Sequence, residues 1–288
     1  MHAPGTDPVD APGAGPMHAP GADPVDVPGT APLNAALLLL ADSRLPAGGH
    51  GHSGGAEQAV TDGTVRDLPT LEAFLRGRLA TAGLTAACLA AAACAHALAA
   101  APPAVPDRMS PGCTAPDHTT GTRDRISPPD APGPLDWAGL EAEADARTAS
   151  PAQREASRVQ GRLLLRTART IWPSPALDAL ASATAPDGPH HPVALGAVAA
   201  AAGCTPGQAA LVAAYASLTG PATAAVRLLG LDPVAVHRLL ACLAPALETL
   251  SATAARPAAW EALPARAAPA LDLLAERHAR AGLRLFAS

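Results

Sequence analysis

Residues 190–231 read HHPVALGAVAAAAGCTPGQAALVAAYASLTGPATAAVRLLGL. Alanine dominates this stretch, and alanine is the best helix former and a poor strand former. Thr205-Pro206 places a capping residue before a proline at the first helical position, and Gln208 completes a T-x-x-Q capping box. Helices are therefore expected over 192–202, 206–219 and 222–230.

The same punctuation recurs outward from there. Ser150-Pro151 with Gln153, and Asp232-Pro233, mark further helix starts. They delimit helices near 136–149, 151–171, 175–184, 233–251 and 266–281. Earlier in the chain, Asp67 and Pro69 open a segment in which Leu68, Leu71, Phe74, Leu75 and Leu79 recur at helical spacing. A second helix is expected from about Leu84 to Ala99. No segment alternates with period two long enough to be a strand. Of the 288 residues 49% are hydrophobic but only 2% aromatic, so the core must be built from Ala, Leu and Val. The expected fold is all-α, a compact multi-helix bundle.

Two segments fall outside that pattern. Residues 1–32 are two copies of one unit, MHAPGTDPVDAPGAGP and MHAPGADPVDVPGTAP, and residues 101–134 are again Pro-rich and polar. Neither can bury enough apolar surface to offset the entropy of ordering. The domain reading is thus a disordered tail over 1–32 and one helical domain over 33–288, interrupted by a disordered insertion at 101–134.

All 20 basic residues are arginine, and the net charge of −5 argues against a general nucleic-acid binder. The five cysteines (Cys88, Cys94, Cys113, Cys204 and Cys242) form no CxxC pair, which suggests a reducing compartment. The N-terminus has no basic segment followed by an apolar run, so a secretory signal is not expected. Residues 79–101 are long and nearly uncharged, yet mostly alanine; they read as a buried bundle helix and not a membrane span. The expected location is the cytoplasm.

Residues 37–62, LLLLADSRLPAGGHGHSGGAEQAVTD, are the most distinctive stretch. Glycines at 48, 49, 51, 54 and 55 describe a shaped loop between two helices, with His50, His52 and Ser53 among them and Glu57 opening the next helix. On 151–171, Arg154, Arg158, Arg162 and Arg166 fall four apart and stack along one face. Such a ridge is either a solvated face or a surface for an acidic partner. His50, His52, His190 and His191 offer four imidazoles, but their spacings do not present two rings to one ion as a helical i,i+4 pair does. No nucleophile elbow, P-loop or zinc-hydrolase motif is present. No catalytic, metal-ligating or cofactor-binding residue is therefore expected, and no cofactor.

Asp42 to Glu57, D-S-x-L-P-x-G-G-x-x-x-S-x-G-x-E, resembles the opening signature of the UreF family of urease accessory proteins. Three later blocks are similar to that family in the same order. They are QREASRVQGRLLL at 153–165, the H-P-V to A-A-V-R-L block at 190–231 with Gly196 and Arg227, and the R-L-F-x-S tail at Arg284, Leu285, Phe286 and Ser288. The chain departs from the family at His50, Ala56 and His237.

The resemblance implies an all-α accessory protein that is not a hydrolase. It would form a homodimer and bridge a UreD/UreH-like protein and the UreG GTPase on the urease apoprotein, coupling GTP hydrolysis to nickel delivery. It also suggests partner contacts at Gly48, Gly49, His50, Ser53, Glu57, Arg154, Arg158, Arg162, Arg227, Arg284, Leu285 and Phe286. A competing reading is a direct nickel-binding metallochaperone using His50, His52, His190 and His191.

Overall fold

The computed structural model describes residues 34–100, 136–256 and 258–288, and among them every regular element is helical. A short α1 (Ala36–Ala41) and the glycine loop lead to α2 (Ala56–Thr61), then α3 (Leu68–Arg78) and α4 (Leu84–Ala99). Next come α5 (Trp137–Ala146), α6 (Pro151–Ile171), α7 (Pro175–Ala183) and α8 (His191–Ala201). Then α9 (Pro206–Leu229), α10 (Pro233–Ala254) and α11 (Pro269–Arg280) complete the bundle. The all-α expectation is met. The expected tail 1–32 and insertion 101–134 lie outside the described residues.

Helix starts follow the sequence punctuation. Asp67 accepts from the Thr70 N–H, Thr205 from the Gln208 N–H, and Asp232 from the N–H groups of Val234 and Ala235. Each such cap stabilises by about 1 kcal/mol. At Ser150 the expected reciprocal box is only half made. Ser150 accepts from the Gln153 N–H, but its hydroxyl and the Ala152 N–H turn to Glu276 of α11 at 2.6 and 3.0 Å. A carboxylate from another helix thus adds a tertiary acceptor at this helix start, on donors that the local box does not use.

Two expected boundaries are overturned. Residues 206–219 and 222–230 are one continuous helix that runs through the buried Pro221. Likewise α3 and α4 are joined by a single π turn, Leu79–Gly83, and make one long helical stretch.

The centre of the body is α4 packed on α8 and α9. Ala87, Ala90, Ala93, Ala194, Ala197, Ala210 and Ala214 are all fully buried there. Small side chains let backbones close in. A Cβ added at Gly196 would lie 2.2 Å from the Ala90 carbonyl oxygen, so only glycine fits at that crossing. Gly161 does the same for α6, where a Cβ would meet the Pro189 carbonyl at 1.9 Å. Three stretches, Leu68–Ala99, Pro206–Leu229 and Pro233–Ala254, are long and apolar enough by length and composition to cross a membrane. Over half of the most apolar window in each of the first two is buried inside the bundle.

Candidate functional site

The glycine loop is held by an arginine and a proline from two different helices. A proline inside a helix has no N–H to offer the carbonyl four residues back, here Ser217. Arg78 fills that vacancy: its Nε donates to the Ser217 carbonyl at 2.9 Å, and its Nη1 donates to the Gly54 carbonyl at 2.7 Å. Burial pushes the Arg78 guanidinium down to about 10, which leaves it charged at neutral pH. Gly54 itself has φ +59°, and a Cβ on it would press on both Arg78 and Pro221.

The loop glycines are not equivalent. Gly48, Gly54 and Gly55 adopt positive φ, whereas Gly49 does not and has open space around it. The shaped-loop expectation therefore applies to Gly48 and not to Gly49.

The C-terminus closes on this loop. Glu57 accepts the backbone N–H groups of Leu285 and Phe286 at 2.7 and 3.1 Å, and its Oε2 meets His278 Nε2 at 2.7 Å. Burial alone would raise the Glu57 carboxyl, but the Leu285 N–H, the His278 ring and the Phe286 N–H outweigh it and hold it below the ordinary value. Two residues on, the Ala287 N–H donates to the Gly51 carbonyl, and Ser53 donates both its N–H and its hydroxyl to the Ser288 carbonyl. His52 Nδ1 lies 2.5 Å from Ser288 Oγ. The Phe286 ring packs over Ala56 and Ala224, beside Phe74 and Leu228. Arg284 and Leu285 stay on the outside, and Arg227 is exposed one residue before Leu228. The side chain of His50 is not among those described.

A second buried cluster joins α5, α6 and the start of α8. His190 donates its N–H to both oxygens of Glu141, and its Nε2 lies 3.0 Å from Asp145 Oδ1. Arg158 reaches the other Asp145 oxygen at 2.7 Å. Burial pushes the Glu141 carboxyl up to about 7, against the pull of the His190 N–H and Arg158. Burial, with a smaller push from His52, lowers His191 to about 4, so its ring is neutral at pH 7. The structure thus sets His52 near His191 and turns His190 to the carboxylates of α5. Among the described residues, no three of His, Cys, Asp and Glu are grouped to hold a metal ion.

The arginine ridge is divided. Arg154 and Arg158 face Asp145, whereas Arg162 donates to the Asp187 carbonyl and Arg166 is exposed. What sequence reasoning missed is Arg78 and Pro221. The signal was available: Arg78 falls in helical register with Leu71 and Leu75, and a cation on an apolar stripe needs a buried acceptor.

The fold and the loop–tail junction coincide with the four blocks of family resemblance, and comparison with known proteins decides the matter. Residues 65–244 match the model of the UreF family. The chain belongs to the UreF family. It is 45% identical to the urease accessory protein UreF of Mycobacterium sp. strain JLS, over 88% of this chain and 97% of that protein. Against the UreF of Mycolicibacterium vanbaalenii the identity is 42%, over 88% and 98%. Against that of Mycobacterium tuberculosis it is 38%, with the same coverage. As a UreF protein the chain is a urease accessory protein and not itself an enzyme.

Proposed function

We propose that this UreF protein is a cytoplasmic scaffold for nickel insertion into urease. In this reading it bridges a UreD/UreH-like protein and the UreG GTPase on the urease apoprotein, and it works as a homodimer. Nickel is cargo passed within that complex, and the chain itself carries no cofactor. Family membership supports the urease connection. The observation that carries the scaffold reading is the tail clasp. Phe286 is locked in, while Leu283 and Leu285 stand out at 89% and 75% exposure beside exposed Arg284. Apolar side chains fixed in water by a rigid backbone gain nothing until a partner covers them. The buried thiols of Cys88, Cys94 and Cys204 are free, which fits a reducing compartment.

The test is co-expression of the tagged chain with its UreD/UreH-like and UreG-like partners and the urease subunits. Recovery of all of them together, with Leu283→Ser/Leu285→Ser weakening recovery, is the expected result. Failure of the native chain to retain any partner would sink the scaffold reading. Size-exclusion chromatography of the isolated chain tests the dimer.

A further inference from the structure

The divided ridge leaves Arg166 without a counter-charge among the described residues. Arg162, Arg166 and Arg169 line a cleft of about 530 Å³ between α6 and the segment that joins α7 to α8. Leu165, Pro186 and Pro189 supply apolar lining, and Asp178 is the cleft's only carboxylate among the described residues. Two of the three guanidiniums are set in place by the chain itself. The stem of Arg162 rests on Gly188, which has φ +81°, and a Cβ there would lie 1.9 Å from Arg162 Cγ. Its Nη1 donates to the neighbouring Asp187 carbonyl. Arg169 donates its Nε to Asp178 at 2.7 Å. Between them Arg166 is exposed and makes no hydrogen bond or ion pair with any described residue.

We infer that this cleft binds an acidic peptide segment of a partner protein, with an apolar side chain between its carboxylates. Charge complementarity is the first argument. Three guanidiniums meet two carboxylates, Asp178 at Arg169 and the exposed Glu155 at 3.8 Å from Arg162. The row thus keeps a surplus positive charge at Arg166 in a chain whose net charge is −5, and like charges four apart disfavour one another until an anion neutralises them. The second is shape. Arg162 to Arg169 span seven residues of helix, roughly 10 Å at 1.5 Å per residue. A row of that length matches carboxylates strung along a peptide, whereas a single phosphate needs donors that converge on one point. The third is the lining. Phosphate sites draw on backbone N–H groups, and Pro173, Pro186 and Pro189 contribute none. The apolar residues beside the arginines fit a leucine-like side chain, and a guanidinium fork binds carboxylate in a bidentate manner. This inference rests on the scaffold reading but concerns a surface distinct from the tail.

The experiment titrates the full chain into a fluorescein-labelled peptide, Glu-Leu-Glu-Glu-Leu-Glu, and follows anisotropy. Saturable binding that weakens with added salt is expected. Arg166→Glu should weaken it about tenfold or more, the scale of a lost charge contact, with an unchanged circular-dichroism melt. Arg238→Glu, an exposed site on α10, should leave it unchanged. Absence of binding by the native chain, or equal binding of Gln-Leu-Gln-Gln-Leu-Gln, overturns the inference. So does an Arg166→Glu variant that binds normally. Displacement by pyrophosphate at lower concentration than by unlabelled peptide would reassign the cleft to phosphate and overturn it as well. Because co-purification of the native chain tests the scaffold reading separately, loss of the cleft leaves that reading intact.

Discussion

Arg78 stands in for the backbone donor that Pro221 lacks: its Nε holds the Ser217 carbonyl at 2.9 Å, across 139 residues of sequence. One side chain therefore repairs a helix and, through the Gly54 carbonyl, pins the loop on which the C-terminus closes. The two residues should be energetically coupled.

Arg78→Met leaves two carbonyls without a donor and should cost about 1–3 kcal/mol. That corresponds to roughly 2–4 °C in the melting midpoint per kcal/mol for a body of this size. In a Pro221→Ala background the backbone N–H gained by the substitution serves Ser217, so the same change should cost less. Urea unfolding of the four variants in a double-mutant cycle measures the coupling. Equal costs in the two backgrounds would show that Arg78 and Pro221 act independently.

The tail clasp should open in acid. The folded Glu57 carboxyl lies below its ordinary value of 4.5. Its contribution is complete above that value and is lost as pH falls through the lower folded value. C-terminal proteolysis should therefore accelerate below about pH 4, and Glu57→Gln should show fast cleavage already at pH 7. Phe286→Ala should destabilise by about 3 kcal/mol. A truncation after Gly282 that melts like the native chain would show that the clasp contributes nothing to the body.

Glu141 works in the opposite sense. Its folded pKa of about 7 exceeds the ordinary 4.5, so the folded state holds a proton that the unfolded chain releases. Stability from this group declines as pH rises from about 4.5 and is gone above about 7. Glu141→Gln keeps an acceptor for the His190 N–H and carries no charge. The variant should therefore melt higher relative to the native chain at pH 8 than at pH 5. A pH-independent difference would contradict the shifted carboxyl.

Gly48 and Gly49 should respond differently to the same change. At Gly48 a side chain meets a positive φ and the Leu163 methyl at 2.8 Å. Gly48→Val should cost about 1–3 kcal/mol, and Gly49→Ala should stay within about 0.5 kcal/mol of native. Equal thermal shifts would mean that loop shape does not depend on that backbone angle.

The local grammar of this chain was readable in advance. Pro151, Pro175, Pro206 and Pro233 all begin helices, and α6 spans 151–171 as its cap and periodicity require. What could not be read is whatever depends on partners far along the chain. Pro221 looks like a helix end when only its neighbours are considered; Arg78, 143 residues earlier, removes the cost. Glu276, 126 residues beyond Ser150, joins the cap there and was equally out of local view. The ridge was visible as four evenly spaced arginines, yet its division depended on Asp145 and Gly188, which lie on other elements. For the tail, Phe286 announced a docking event, and only the fold showed that Glu57 and Ala56 receive it.

The π turn at Leu79–Gly83 has a consequence for how this chain tolerates change in length. Leu71, Leu75, Leu79, Gly83 and Ala87 are all buried and all four apart. In a regular α-helix of 3.6 residues per turn, a four-residue repeat drifts by about 40° per step, roughly 160° from Leu71 to Ala87. The wider i→i+5 turn takes up part of that drift and keeps both ends facing the bundle. A π turn is one extra residue taken up in a widened turn, so deleting one residue there would restore an unbroken α-helix with its two ends still nearly in phase. Ala87, Ala90 and Cys94 would keep their seam with α8 and α9, and Gly196 would still meet bare backbone at Ala90. The segment thus carries a spare residue: a single-codon deletion that would turn the end of α6, a regular helix, by about 100° can be absorbed here.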